Sequence, residues 1–206
     1  MVRAFLFIQR NDFSHASACF REAASLTPAP TLQAWNEYLQ ARLSEEQGQY
    51  GTAIEQYAQV WRVMPQWRDV QYRGIVCRVK MGFAEQVLEQ ITKLVREDPS
   101  YFNRVLIDPA LERGRLLILS SLYDLWAEAK KNAEEERVKI NAMEARLNDW
   151  FPADHPVQLN LGRKIHTLEA LSNINNYLAF LQVLEQRPLL EKELEESIER
   201  EVEELR

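Results

Sequence analysis

The chain has 206 residues, room for one domain or two small ones. A net charge of −6 argues against non-specific nucleic-acid binding, which needs clustered Lys and Arg to meet phosphates. Six glycines and few Val-Ile-Thr alternations point to helix throughout, and no stretch has the roughly 20 apolar residues needed to span a bilayer.

In chain order, Val2 to Arg10 reads as a helix, and the Asn11-Asp12-Phe13 turn leads into a second one from Ser14 to Leu26. Phe5, Leu6, Phe7 and Ile8 crowd the start. A free-standing repeat array usually begins with a polar-faced end. We therefore expect a piece excised from a longer protein; the alternative is a natural start with a short first helix. Thr27-Pro28-Ala29-Pro30 is a linker, because proline disfavours helix in the residue before it. Thr31 is placed to cap the next helix, which runs to about Gln47. Tyr50 to Val63 returns antiparallel to it. Gln66 to Met81 and Phe83 to Glu97 make a further pair, stopped by Asp98-Pro99.

These pairs repeat. Ala53 and Tyr57 lie four apart on one helix face, and Pro65 closes their segment. Gly82, Ala84, Val87, Ile91, Leu94 and Pro99 restate the pattern, with Pro65 and Pro99 standing 34 residues apart. Phe13, Ala16, Phe20, Ala23 and Pro28 state it earlier, with about three residues inserted near Ala29 to Thr31. A two-helix unit at a 34-residue period is the tetratricopeptide signature, and residues 1 to about 100 resemble that family. The resemblance implies a superhelical stack whose inner wall is lined by the first helix of each pair. Tyr38 and Tyr72 then occupy equivalent positions, and Arg42 follows Tyr38 by one turn. Trp35, Arg73 and Lys80 fall at other groove-facing positions of the family, and Arg10 takes the matching place in the first unit. The implied partner is a protein or peptide, an acidic segment or chain end among the candidates, since aromatics give large contact area and Arg grips carboxylates bidentately. The bland alternative is that Trp35 and Tyr38 pack against the neighbouring repeat while the cations are merely solvated. The family's carboxylate-clamp subset uses Lys, Asn and Arg at fixed positions. Here Tyr38, Arg42 and Tyr72 stand there without the Asn, which argues against a receptor for chaperone tails.

After Pro99 the pattern changes. Tyr101 to Ile107 covers the last repeat, and Pro109 opens a long helix to Trp150. Leu119, Leu122, Trp126, Ala129, Ala133, Ile140, Met143, Leu147 and Trp150 follow steps of three and four, with Glu136 in the one gap. That is a heptad seam, and a helix of about 60 Å needs a partner along its length. The turn Phe151-Pro152-Ala153-Asp154-His155-Pro156 leads into a second helix carrying Leu161, Ile165, Leu168, Leu171, Ile174, Leu178, Leu181 and Leu184, folded back as a hairpin. Gly162 is placed to loosen its start or to permit a close crossing. Arg187-Pro188 is expected to kink or break it. Leu190, Leu194, Ile198, Val202 and Leu205 then form one face of a last helix, opposite eight glutamates.

The expected fold is all-α: repeats over 1–108, a long antiparallel hairpin over 109–187 and an acidic amphipathic helix over 188–206. No phosphate loop, dinucleotide fingerprint, nucleophile elbow or HExxH is present. His15, His155 and His166 lack ligand spacing, and Cys19 and Cys77 read as small buried apolar residues. No catalysis, cofactor or metal is expected. No signal peptide and no membrane insertion are expected, so the expectation is a cytoplasmic protein-binding scaffold that acts through Trp35, Tyr38, Arg42, Tyr72, Arg73 and Lys80. The alternative is an assembly module in which the heptad hairpin and acidic tail self-associate within a larger protein. A third reading makes the chain a regulatory piece beside a catalytic domain outside it.

Overall fold

The computed structural model describes residues 2–204; Leu205 and Arg206, expected on the last helix, lie outside the described residues. Among the described residues the chain is all-α, without a strand. It divides into two compact units, Met1–Ser121 and Leu122–Arg206, so the division falls inside a helix and not at the Asp108-Pro109 turn.

The first unit holds α1 (Val2–Gln9), α2 (Phe13–Leu26), α3 (Pro30–Glu46), α4 (Tyr50–Val63), α5 (Arg68–Lys80), α6 (Leu88–Glu97) and α7 (Tyr101–Ile107). From α1 to α5 each helix packs on the next in sequence. The small residues explain the close approach. Ala4, Ala16, Ala34, Ala41 and Ala53 are all buried, and Phe20 and Tyr57 fill the space around them.

Helices α1, α3 and α5 end the same way. Asn11, Gly48 and Gly82 adopt positive φ of 57°, 73° and 95°. In each case the next residue's N–H reaches back over the last turn: Asp12 to Phe7 O, Gln49 to Ser44 O and Phe83 to Arg78 O, at 2.8–2.9 Å. The positive-φ residue itself donates to Ile8, Glu45 and Val79 respectively. This is the Schellman closure, which satisfies carbonyls that the helix end leaves free. The turn thus recurs with the helices, at 11, 48 and 82.

The expected helix over Phe83 to Glu97 is shorter. Its first turn is a 3₁₀ segment, Glu85–Val87, followed by α6. A second 3₁₀ segment, Pro109–Gly114, precedes α8 (Arg115–Trp150), where the sequence suggested one helix from Pro109. Asp108 caps that segment by accepting from Ala110 N at 2.8 Å. It packs on α5, and Gly114 sits against Ala84 and Val79.

The second unit comprises the rest of α8, with α9 (Pro156–Ser172) and α10 (Tyr177–Glu204). The buried line on α8 is Leu122, Leu125, Ala129, Ala133, Ile140, Met143 and Leu147, continued by Phe151. The expected seam is thus kept in its middle, while Leu125 and Phe151 replace Trp126 and Trp150 at the ends. Asn148 and Gln158 join across the α8–α9 turn at 2.6 Å, and Lys164 reaches Glu193 on α10 at 2.7 Å. His155 caps α9 by accepting from Val157 N at 3.2 Å.

The break in the second arm lies elsewhere than expected. α10 runs through Arg187 and Pro188, and the interruption is at 173–176. Ser172-Asn173-Ile174-Asn175-Asn176 explains it. Ser172 and Asn173 side chains both donate to the Glu169 carbonyl, and Asn176 Oδ1 accepts from Leu178 N to start α10. Short polar side chains compete with the helix ladder in this way and favour caps. Pro188 is exposed. Arg187 beside it is pinned by ion pairs to Glu136 and Glu191. Glu136, the gap in the seam, is therefore filled by charge pairing. Burial opposes its ionisation, but the Lys139 hydrogen bond and the Arg187 charge outweigh that and hold its carboxyl below the usual range.

No helix among the described residues is long and apolar enough to cross a membrane.

Candidate functional site

Helix α3 starts without a side-chain cap, with Pro30 in its first turn. Its packing face buries Ala34, Asn36, Ala41, Leu43, Ser44 and Glu45. Trp35, Tyr38 and Arg42, at steps of three and four, share a neighbouring face. α5 supplies Asp69, Arg73 and Lys80 in the same manner, each about one or two turns from the last.

The two helices meet at Glu45, whose side chain is 2% exposed. Its Oε2 accepts from Tyr57 Oη at 2.7 Å and from Arg42 Nη1 at 2.8 Å. Its Oε1 lies 3.5 Å from Arg73 Nη1 and 3.9 Å from Lys80 Nζ. Burying a lone carboxylate costs several kcal/mol, so three cations and a phenol around one acid are its compensation. Lys80 also sits 5.3 Å from the Tyr50 ring centroid. Arg42 makes a second pair with the exposed Glu46 at 3.1 Å. Three cations thus face two carboxylates, one of them solvated. Arg73 Nε is buried without a hydrogen-bond acceptor.

Beyond this node lies an aromatic ladder. Trp35 and Trp67 stack nearly parallel, with centroids 5.0 Å apart and planes at 11°. Tyr38 stands 5.7 Å from Trp35, 4.5 Å from Trp67 and 5.9 Å from Tyr57. Trp35 is 42% exposed, so one end of the ladder is open. Tyr38 donates its hydroxyl to Asp69, which also takes a 2.6 Å bond from Arg104 of α7. Burial raises the Tyr38 pKa to about 12, with the Asp69 carboxylate adding to it. Burial also opposes the Asp69 charge, but the Tyr38 and Arg104 hydrogen bonds prevail and hold its carboxyl below the usual range.

Five of the six residues singled out from the sequence therefore converge in two adjoining clusters. Trp35 and Tyr38 belong to the ladder; Arg42, Arg73 and Lys80 surround Glu45. Tyr72 requires a correction. It is fully buried, its hydroxyl donates to Asp108 at 2.5 Å, and its ring lies 5.4 Å from Tyr101 and 4.4 Å from the Arg104 guanidinium. Tyr72 is sealed inside the first unit and ties α5 to the Asp108 turn. Arg10 stands exposed after α1.

Sequence reasoning missed Glu45, Trp67, Asp69 and Arg104. Only Asp69 carried a signal. Tyr38 to Asp69 and Tyr72 to Asp108 are the same latch, a first-helix tyrosine bonded to an acid 31 or 36 residues on, near the repeat length. Burial first and the Glu45 carboxylate second push up the Tyr57 hydroxyl, and burial brings the Cys77 thiol up to about 12, so this thiol is a poor nucleophile. Among the described residues no group of three His, Cys, Asp or Glu side chains could hold a metal ion. Comparison with protein-family models, curated proteins and solved structures yields no match for this chain.

Proposed function

We propose that this chain is a non-catalytic protein-interaction scaffold. Its first unit would act as a tetratricopeptide-like stack that receives a partner peptide or protein on the wall formed by α3 and α5. The observation that carries this reading is the pairing of an open aromatic ladder, Trp35–Trp67–Tyr38, with a cationic cluster in a chain of net charge −6. Large rigid aromatics beside Arg are the composition of binding hot spots. The recurrent closures at Asn11, Gly48 and Gly82 support the repeat assignment, because they place equivalent helices at equivalent points of the chain.

The test is selection from a random peptide library against the whole chain, followed by substitution. Trp35→Ala and Arg73→Gln should each weaken the selected peptides while sedimentation mass stays that of the parent. Peptides that bind equally to both variants refute the wall as the site.

A second reading, self-assembly through the heptad segment and acidic tail, draws on a different feature. Leu189 is 66% exposed over a groove of about 330 Å³ between α9 and α10, floored by Leu168 and Leu190. An oligomer that dissociates on Leu189→Asp, with the wall variants unaffected, favours this reading.

A further inference from the structure

The two clusters on the wall specify a partner more narrowly than their composition does. Trp35, Tyr38 and Arg42 lie along one line of α3, and seven residues of helix separate the open indole from the first guanidinium, about 10 Å at 1.5 Å per residue. An extended chain covers that length in about three residues at 3.3 Å each. Trp35 is 42% exposed, and its aromatic contacts are to Trp67 and Tyr38. At the other end Arg42, Arg73 and Lys80 are each partly exposed, at 26%, 22% and 30%, while the acid they share is not. A further carboxylate can reach these cations from the solvent side. Like charge cannot: a basic segment would meet three cations at once.

Resting on the scaffold reading above, we propose that the wall binds an extended acidic peptide segment in which an aromatic side chain and a carboxylate stand three residues apart. The aromatic ring stacks on Trp35, and the carboxylate meets the exposed side of the cationic cluster at Arg42, beside Arg73 and Lys80. Glu45 acts as an internal competitor: it already neutralises part of the cluster, which keeps the site from gripping every passing anion. The partner's acid therefore gains from the aromatic anchor held at the correct distance, and a free carboxylate gains little.

The probe is the synthetic peptide acetyl-Ser-Tyr-Ser-Ser-Glu-Glu-Ser-amide, titrated against the full chain with tryptophan emission and calorimetry as readouts. Replacing both acids by Gln, or the Tyr by Ala, should weaken binding about tenfold or more each, and added salt should weaken the parent but not the Gln peptide. Inserting three serines between Tyr and Glu should cost about as much as removing the acid. On the protein side, folded Glu45→Gln should bind the acidic peptide several-fold more tightly, a change that a purely structural Glu45 would not give. Equal binding of acidic and Gln peptides overturns the proposal, as does indifference to spacing or unchanged affinity in Glu45→Gln. These outcomes are separable from failure of the scaffold reading. Library peptides that need Trp35 and Arg73 but lack the aromatic-acid spacing leave the scaffold standing and sink this inference alone. No wall-dependent peptide of any kind sinks both.

Discussion

Gly114→Ala should destabilise the chain, and the structure gives the size of the effect. A Cβ at Gly114 would lie 2.5 Å from Ala84 Cβ, 3.3 Å from Ile118 Cδ1 and 3.3 Å from Val79 Cγ1. Carbon atoms rest about 3.5–4.0 Å apart, so the Ala84 contact is too close by about 1 Å or more. Ile118 and Val79 can turn their side chains slightly. Ala84 has no torsion that moves its methyl, so the backbone on one side must shift. Overpacking of this kind costs about 1–3 kcal/mol. Gly114 does not have positive φ, so alanine also gains about 0.4–1 kcal/mol from a less free unfolded chain. The net loss is then about 1–2 kcal/mol, or a melting temperature lower by about 2–8 °C for a chain of this length. Urea and thermal unfolding followed by circular dichroism measure it. The paired variant Ala84→Gly with Gly114→Ala moves the methyl to the other side of the contact and removes the clash. Its loss should be smaller than the sum of the single losses by about 1 kcal/mol. A Gly114→Ala protein as stable as the parent, or strict additivity in the cycle, would show that the 3₁₀ segment does not approach Ala84 as described.

Three other outcomes follow from the same structure. Tyr38, Tyr57 and Tyr72 are held protonated by burial first and by Asp69, Glu45 and Asp108 second. The native state keeps protons that the unfolded chain releases near pH 10, so stability should fall as pH rises through about 10 toward 12, by up to about 1.4 kcal/mol per pH unit for each. Burial raises Tyr101 as well, so spectrophotometric titration should show four of the seven tyrosines ionising late, together with loss of helix; seven equivalent tyrosines in a folded chain would contradict this. In the second unit, Glu136→Ala leaves the mostly buried Arg187 with the Glu191 pair alone and should cost about 1–3 kcal/mol, whereas Glu136→Met with Arg187→Met should be close to neutral, as judged by denaturant midpoints. At the helix ends, Asn11→Gly should stabilise by about 0.5–1 kcal/mol and Gly48→Ala destabilise by about 1 kcal/mol, since only glycine enters the left-handed region without strain; a reversed order of melting temperatures would refute the shared closure.

Much of the fold could be read from the residues because the signals were local. Gly48 and Gly82 mark helix ends by their own backbone freedom, and the apolar spacing on α2, α4 and α6 repeats within a few turns. The errors came where two local signals competed. Pro188 is a strong helix-breaking signal, while the Asn-rich 173–176 segment is masked in sequence because Leu171, Ile174 and Leu178 continue the apolar steps across it. The caps won because several side chains there offer alternative hydrogen bonds at once. One proline on an exposed face removes a single bond to the preceding turn, and the Arg187 ion pairs hold the helix on either side of it.

The wall was harder to read, and Tyr38 and Tyr72 show why. They stand 34 residues apart, the period read from the sequence, so sequence treats them alike. Each bonds an acid beyond its own unit, but what covers them differs. Over Tyr72 come Tyr101, Arg104 and the Asp108 turn, where the repeat pattern gives way to a 3₁₀ segment. Tyr38 is covered by Trp67 and Asp69, which leaves it half-buried beside an open Trp35. Exposure is thus decided by the residues that follow a unit, about 30 positions downstream. Glu45 makes the same point from the opposite direction. Ser44-Glu45-Glu46 reads as a solvated helix end, yet Glu45 is buried because Tyr57, Arg73 and Lys80 arrive from two later helices to compensate it. A carboxylate that looks free in sequence is therefore the fixed centre of the cluster between α3 and α5, and the cations that look free are the groups it has gathered.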